Sequence, residues 1–534
     1  MHADLIIHHA KIYTVDPQLP WAEAVAVHNG RFLAVGANDD ILNLAGPQTR
    51  VIDGNGRLLL PGLIDSHVHF LDTAVRRQQL SLFGVADFDD ALRRIAAAAA
   101  TKKPGEWLLG YGWDEVNWPT LPTAAHLDAA APHNPVALAR LDMHTYWVNQ
   151  AALDIAGITA ETPDPPESKI ERDENGRPSG ILREWNALQL LLPHIPQPDM
   201  AAKESWLRET IAAAHRLGLT GVHDQRVEKE GQESFRLWQT LQRRGALPLR
   251  VHMNVAADFL PEAAALGLQS GFGNDHLWVG HLKTFADGTM GSRTAAMLDP
   301  FTGMPDNLGV IVTPADELWR IATDAADAGF ALSIHAIGDR AVREVLDVLI
   351  ERESLDSGHK LPMPHRIEHV QLIHPDDLAR VGGQRIMAAV QPVHIQTDWQ
   401  TADRVWSSRS RYAYAFRSLL DRGLKLALGS DAPVASMNPF VGMFAAIKRQ
   451  DESGQPAGGW YPEERLTLAE AIYGYTMGPA LMSGKEAHQG SISPGKWADM
   501  ALLADDLFAL PVEKMPETAV DMTLVAGEIV YRRE

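Results

Sequence analysis

The sequence contains no cysteine among its 534 residues. Disulfide bonds, thiolate nucleophiles and cysteine-based zinc sites are therefore excluded, so histidine, carboxylates or an oxygen derived from lysine must hold any metal ion. No apolar run approaches the roughly 20 residues needed to span a bilayer, and residues 1–13 have no signal-peptide core. These absences predict a cytoplasmic protein that does not associate with membranes.

Positive charge is also scarce. The chain has 48 lysines and arginines against 68 acidic residues, which gives a formal net charge of -20, and no basic cluster occurs. Nucleic acids and anionic membrane surfaces would repel such a chain at long range, so neither is an expected partner. Because 46% of the residues are hydrophobic, the composition is that of an ordinary globular protein with a large core.

The two ends of the chain have the same character. Short alternating segments occur before residue 60, with Asn29 and Gly30 forming a tight turn, and they return near the C-terminus, where Ala526, Gly527 and Glu528 form a hairpin turn. We therefore predict one small β-sandwich made from residues 1–60 and 485–534.

The middle of the chain, residues 61–484, alternates apolar strands with helical stretches, which predicts a parallel sheet. About eight strands are expected, the number that closes a (β/α)8 TIM barrel. Between the first and second strands lies a segment far longer than a crossover helix requires, so we expect a subdomain inserted at about residues 75–200 that could cap the barrel mouth. The expected strands are residues 63–70, 219–225, 249–255, 279–286, 331–337, 366–372, 386–393 and 424–430.

Histidines and one aspartate fall at the ends of four of these strands. His67 and His69 share one face of the first strand, His335 ends the fifth, His369 ends the sixth and Asp431 follows the eighth. Active sites of such barrels lie at the C-terminal ends of the strands. One histidine at a strand end is more often structural than ligating, but five candidates meeting at one rim predict a metal site.

Lys283, at the end of the fourth strand, has two interpretations that the residues alone leave open. A buried, unpaired ammonium beside metal cations is unfavourable. Carboxylation by CO2 would give it two oxygens that could bridge two metals. The other interpretation is an ion pair with Asp287 or a neighbouring acid.

These segments together resemble the amidohydrolase superfamily, and specifically its amidohydrolase-3 (YtcJ-like) branch. The resemblance extends over nearly the whole chain. It is carried by residues 61–69, 283–288, 335–339, 367–369 and 429–431, by residues 110–114, 144–149 and 175–180 of the insertion, and by residues 495–499 near the C-terminus.

The resemblance implies a two-metal hydrolase. His67, His69 and Asp431 would hold one ion, His335 and His369 the other, and a carboxylated Lys283 and a hydroxide would bridge them. Ligands of nitrogen and oxygen suit zinc, and also manganese, iron, cobalt or nickel. Asp431 would act as the general base and then the general acid.

The resulting hypothesis is hydrolysis of a carbon–nitrogen bond in an amide, either an N-substituted formamide or an N-acyl compound, by a homodimeric enzyme. The alternatives are a single-metal deaminase of a cyclic amidine, which needs no lysine bridge, and a non-catalytic barrel scaffold. Candidate substrate contacts are Trp113, Asp114, His144, His223, Arg293 and His394.

Overall fold

The computed structural model describes residues 2–115, 118–140, 145–166, 168–225, 231–355 and 361–534. The chain forms two units, Met1–Thr73 with Leu207–Glu534, and Ala74–Trp206. The first unit contains an eight-stranded parallel sheet and two smaller sheets, and the second is an insertion between the first and second strands of the parallel sheet. In the part of the chain described, no helix is long and apolar enough to cross a membrane.

The eight parallel strands form a barrel in which each strand pairs with the next one along the chain. The eighth strand returns to the first through a bridge between Val68 and Ala432, and the His69 amide donates to the Ala432 carbonyl at 2.8 Å. The predicted fold class is therefore confirmed. In order, the barrel strands are Leu63–Val68, Leu219–Asp224, Arg250–Ala256, Leu277–Phe285, Leu332–Ala336, His365–His369, Ile386–Val390 and Lys425–Leu428.

The barrel strands are buried on both faces, as parallel strands covered by helices must be. The seventh strand is shorter than predicted. It ends at Val390, and Pro392–His394 forms a 3-10 turn instead. Proline lacks the amide hydrogen that a central strand donates to its neighbour, so the ladder stops before Pro392. His394 consequently lies four residues beyond the end of the strand.

Local sequence explains where the surrounding helices begin and which side they bury. In the helix Ala315–Asp327, Leu318, Ala322 and Ala325 are buried, a spacing that places them on one face. Thr467 and Glu470 form a reciprocal capping box at the start of Leu468–Gly474. In chain order the α-helices are Asn38–Leu42, Phe70–Arg76, Phe88–Ala99, Ala124–Ala130, Gln150–Ala156, Trp185–Leu188, Met200–Arg216, Gly231–Arg243, Leu260–Ala265, Ala315–Asp327, Asp339–Leu355, Ile395–Trp406, Phe416–Asp421, Pro439–Lys448, Leu468–Gly474 and Met477–Met482, and the 3-10 helices are Leu192–His194, Ala257–Phe259, Pro392–His394, Ser407–Tyr412, Pro462–Glu464 and Val512–Glu517.

Both chain ends contribute to the two smaller sheets of the first unit. Asn29 and Gly30, like Ala526 and Gly527, have positive φ angles, the backbone that a two-residue hairpin turn requires. One sheet has the strand order Arg31–Gly36, Ala24–His28, Leu5–His8, Arg50–Asp53; the other has the order Glu528–Arg532, Val520–Val525, Met500–Leu503, Leu58–Pro61, Lys11–Tyr13, Trp21–Ala22. Their shared apolar core includes Ile7, Val25, Leu59, Leu502 and Leu524.

A buried ion pair joins the barrel to these sheets. The guanidinium of Arg250, at the start of the third barrel strand, donates from Nε and Nη2 to the Asp499 carboxylate, with 2.9 Å between Nη2 and Oδ1. It also lies 3.9 Å from the centre of the Trp497 ring. Both charged side chains are nearly inaccessible to solvent.

We expect Arg250→Met to destabilise the fold by about 3–5 kcal/mol, because Asp499 would be left as an uncompensated buried charge. The matched control is Arg320→Met, which breaks exposed pairs with Glu317 and Asp324 that contribute about 0–1 kcal/mol. Urea denaturation followed by tryptophan fluorescence measures both changes. Equal midpoints for the two variants would contradict the prediction.

The insertion has a core of its own. Phe88, Trp113, Trp118 and Trp147 pack against each other with ring centres 5.0–6.1 Å apart. The helix Phe88–Ala99 begins where the Asp87 side chain accepts from the Asp90 amide. Its sheet has the order Lys169–Arg172, Pro178–Arg183, Thr145–Val148, Val136–Arg140, Leu108–Trp113, Leu80–Ser81.

Candidate metal centre

His67, His69 and Asp431 meet where the first and eighth barrel strands end. Oδ1 of Asp431 lies 3.3 Å from His67 Nε2 and 3.5 Å from His69 Nε2. The Asp431 amide donates to the His67 carbonyl at 2.7 Å, which fixes the carboxylate beside the two rings. Gly429 makes this close approach of the strands possible, since a Cβ there would lie 2.6 Å from the His67 nitrogen. The three side chains are spaced so that one ion could contact all of them.

His335 and His369 lie at the same rim. Their ring centres are 4.6 Å apart, and the His369 ring is 4.9 Å from that of His67. His369 has a φ of 71°, so the backbone turns at the end of the sixth strand. The structure thus brings together the five predicted ligands that come from the first, fifth, sixth and eighth strands.

Hydrogen bonds leave a free lone pair on three of these imidazoles. His67 Nδ1 lies 2.5 Å from Glu368 Oε2, and His335 Nε2 lies 3.0 Å from the Gly288 carbonyl. His369 Nδ1 lies 2.7 Å from Gln391 Oε1. Since these oxygens accept, the bonded nitrogens carry the protons and the opposite nitrogens are available as ligands.

In His335, the ring nitrogen that forms no hydrogen bond with a described residue is Nδ1. His335 Nδ1 is buried and has no hydrogen-bond partner among the described residues. A buried nitrogen of this kind is unfavourable unless something binds it. The donor set of imidazole nitrogens and one carboxylate therefore fits divalent metal ions of the zinc type.

Burial sets the charge states that metal binding needs. It lowers the pKa of His335 to about 3, and the pKa of His369 also lies well below its ordinary value, so both rings are neutral near pH 7. Burial alone would raise the pKa of Asp431, but His67 and His69 hold that pKa well below its usual range. Asp431 is therefore ionised near pH 7.

Lys283 is buried at the same rim without a hydrogen bond or ion pair in the described part of the chain. It is 2% exposed, and its Nζ lies 4.7 Å from the centre of the Phe285 ring. Asp287 instead accepts the amides of Ala296, Ile337 and Gly338, so the alternative ion pair with Lys283 does not form. Burial lowers the pKa of Lys283 to about 8.

Two further residues at the rim, Asp65 and Gln391, lie outside the predicted set of metal ligands. Asp65 accepts the Ser430 hydroxyl at 2.5 Å and the amides of Ser430 and His67, each at 3.0 Å, which locks the loop before Asp431 against the first strand. Burial raises the pKa of Asp65 to about 6. Gln391 fixes the His369 ring. Asp65 alternates with His67 and His69 in the sequence, and that spacing was a usable signal.

The predicted substrate contacts of the barrel lie at different depths. His223 is fully buried and accepts from Arg366 Nη1 at 3.1 Å, and Arg293 contacts Met304 Sδ at 3.4 Å. His394 Nε2 lies 3.9 Å from Asp431 Oδ2 and has no hydrogen-bond partner among the described residues. Of these three, His394 is the one beside the cluster.

The three predicted substrate contacts of the insertion are Trp113, Asp114 and His144. Trp113 is 1% exposed and donates to the Leu138 carbonyl, so it is a core residue and the predicted substrate contact has no support from this placement. Asp114 forms an ion pair with Arg140 at 2.8 Å. His144 lies outside the described residues.

A model of the amidohydrolase family matches residues 50–531. The chain belongs to the amidohydrolase family. The predicted resemblance is confirmed. Over 99% of its length the chain is 32% identical to Protein LONG AFTER FAR-RED 3 of Arabidopsis thaliana, covering 92% of that protein.

Two bacterial relatives match at similar levels. The chain is 30% identical to the putative amidohydrolase YtcJ of Bacillus subtilis (strain 168), with 99% of each chain covered. It is 29% identical to the N-substituted formamide deformylase of Arthrobacter pascens, covering 99% of this chain and 98% of that one.

Among solved structures, an uncharacterized metal-dependent hydrolase from Pyrococcus horikoshii OT3 superposes with a TM-score of 0.78 at 26% identity. The match covers 95% of this chain and 99% of that chain. Family membership and this neighbour support a hydrolase that depends on a divalent metal.

Proposed function

We propose that this protein hydrolyses the carbon–nitrogen bond of a small amide, of the N-substituted formamide or N-acyl type, with two divalent metal ions. The observation that carries the proposal is the cluster at the barrel rim. The ionised carboxylate of Asp431 lies beside His67 and His69 there, and the neutral imidazoles of His335 and His369 and the buried Lys283 lie at the same rim. The Arthrobacter pascens relative, an N-substituted formamide deformylase that is similar along nearly its whole length, supports the choice of formamides.

His67, His69 and Asp431 would hold one ion, and His335 and His369 the other. Lys283 would bridge them as a carbamate. Its neutral amine attacks the carbon of CO2, the N–H proton leaves to solvent, and the product carries two oxygens. The lowered pKa of Lys283, about 8, favours this step because a larger share of the amine is neutral near pH 7. We propose zinc, although manganese, iron, cobalt and nickel accept the same ligands.

Bound divalent ions would supply Lewis-acid chemistry, lowering the pKa of a water molecule and polarising the amide carbonyl. Asp431 takes the proton of that water as its oxygen attacks the carbonyl carbon. Asp431 then delivers the proton to the amide nitrogen as the C–N bond breaks, which releases an acid and an amine. His394, with its unpartnered Nε2 beside Asp431, would bind a polar group of the substrate.

The test is an activity panel with purified protein. The chain is prepared with added zinc or manganese and incubated with N-substituted formamides, N-acyl amino acids and lactams, and amine release is measured together with metal content. We expect turnover of at least one formamide and two ions per chain. His69→Ala should lose turnover and at least one ion per chain, whereas His133→Ala, at an exposed histidine, should lose neither.

Two results of this panel would contradict the proposed activity or its substrate class. No turnover of any compound, together with no bound metal in the wild-type chain, would overturn the proposal in favour of a non-catalytic scaffold. Turnover of lactams or N-acyl amino acids alone would keep the hydrolase and change the substrate class.

A further inference from the structure

The barrel interior next to the rim cluster contains a buried ion pair where aliphatic side chains usually pack. Arg366 and Glu368 alternate on the sixth strand, and both side chains are completely buried. Arg366 donates from Nε to Glu368 Oε1, and from Nη2 to Oε2 at 2.8 Å. A buried pair of this kind contributes little stability by itself, because removing both charges from water costs as much as their attraction returns.

Arg366 and Glu368 also form hydrogen bonds with the first strand, at Ser66 and His67. Glu368 Oε2 lies 2.5 Å from His67 Nδ1. Arg366 Nη2 donates to the carbonyl of Ser66, one residue earlier, at 2.7 Å. The pair thus holds His67 by its ring and by the backbone before it.

The remaining contacts of the pair are with neutral groups. The Ser333 hydroxyl donates to Glu368 Oε1 at 2.7 Å. Arg366 Nη1 lies 3.1 Å from His223 Nδ1, which must accept because a guanidinium only donates. His223 therefore supports Arg366.

A second pair of histidines continues this support. Trp278 Nε1, which can only donate, lies 2.9 Å from His252 Nδ1. His252 Nε2 therefore carries the proton and donates to His281 Nδ1 at 2.9 Å, and His281 Nε2 donates to the Pro364 carbonyl at 2.9 Å. The His252 ring lies 4.4 Å from that of His223. Three neutral imidazoles in fixed tautomers thus pack beside Arg366 without adding charge.

We propose that Arg366 and Glu368 are positioning residues for the metal centre. They hold His67 in the tautomer and ring orientation that direct its Nε2 towards Asp431. A carboxylate behind a ligating histidine raises the donor strength of the ring and fixes its orientation, and Arg366 keeps that carboxylate ionised and in place. The proposal rests on the proposed function in one respect, since it assumes that His67 binds a metal ion.

The competing interpretation is a purely structural ion pair, and the affinity of the metal-free chain for zinc separates the two. Affinity is measured by competition with a chromophoric chelator, without substrate, on the full-length protein. Glu368→Gln keeps the shape of the side chain and removes its charge. We expect zinc affinity at the tighter site to fall by about 10–100-fold.

Because Glu368→Gln leaves Arg366 uncompensated, the variant could lose stability for that reason alone. The double variant Arg366→Met with Glu368→Gln removes both charges, which is often tolerated, and it should still bind zinc about 10–100-fold more weakly. The control double variant, Lys11→Met with Asp506→Asn, removes an ion pair at the end sheets and should keep wild-type affinity.

Each outcome decides a separate point. A folded double variant with wild-type zinc affinity would overturn the positioning role. A wild-type chain that binds neither zinc nor manganese and hydrolyses no amide would instead overturn the proposed function. If the double variant does not fold, Ser333→Ala decides, because it removes one hydrogen bond to Glu368 and leaves no charge unpaired. Unchanged zinc affinity in Ser333→Ala would then contradict the proposal, and a loss of about threefold or more, the equivalent of one hydrogen bond, would support it.

Discussion

Asp431→Asn is expected to lower kcat by about 10²–10⁴-fold on any amide that the wild-type chain hydrolyses, the range that loss of a general base produces. The substitution keeps the shape of the side chain and an oxygen that can contact a metal ion. It removes the ability to take a proton from the attacking water and to return it to the leaving nitrogen. Initial rates at saturating substrate, together with metal content by mass spectrometry, measure the effect.

The control for Asp431→Asn is Asp376→Asn, at a carboxylate whose side chain is 82% exposed. It should retain the wild-type rate and metal content. If Asp431→Asn lost its metal as well, the rate would report binding rather than proton transfer, so rates are compared only in preparations with equal metal content. An Asp431→Asn enzyme that retains metal and more than about a tenth of the wild-type kcat would contradict the role of Asp431.

The barrel could be predicted from the sequence because its strands are uniform. A parallel strand that is buried on both faces tends to appear as a continuous apolar run between turn residues, as in the seventh strand, Ile386–Val390. The end of the seventh strand was missed because the strand ends at Val390, before Pro392, three residues earlier than the predicted end at residue 393.

The residues at the rim of the site could also be predicted from the sequence, because the strand ends of a parallel barrel meet at one edge. His67, His335, His369 and Asp431 could be placed there without any knowledge of contacts. How deep each side chain lies along the barrel axis could not be predicted in the same way. His223 was expected to contact substrate, but it lies against Arg366 in the interior.

The supporting residues were beyond prediction for a different reason. The bond between His67 and Glu368 joins positions 301 residues apart, and Asp65 meets Ser430 across 365 residues. Alternation within one strand identifies an inward face but not the partner across the barrel. Glu368 was visible only as the neighbour of His369, and nothing in the sequence distinguished its role from that of other buried acids.

Lys283→Ala is expected to lower kcat by about 10³-fold or more and to reduce metal content from two ions per chain towards one, because the bridge between the ions is lost. The cavity left by the shortened side chain can admit a small carboxylate, which offers the same pair of oxygens as a carbamate. Acetate or propionate should therefore restore part of the activity and the second ion. Rates and metal content are measured with and without the added carboxylate.

The control for this variant is Lys448→Ala, at a surface lysine paired with Glu513 at 2.6 Å, which should be unaffected by either acid. Wild-type chain stripped of metal and reconstituted at fixed CO2 pressure should recover activity faster as the pH rises towards about 8, the pKa of Lys283, since the neutral amine is the reacting form. A Lys283→Ala enzyme with one ion and full activity would contradict the bridge. It would favour the single-metal deaminase, in which Lys283 has no part in catalysis and the ion held by His67, His69 and Asp431 acts alone.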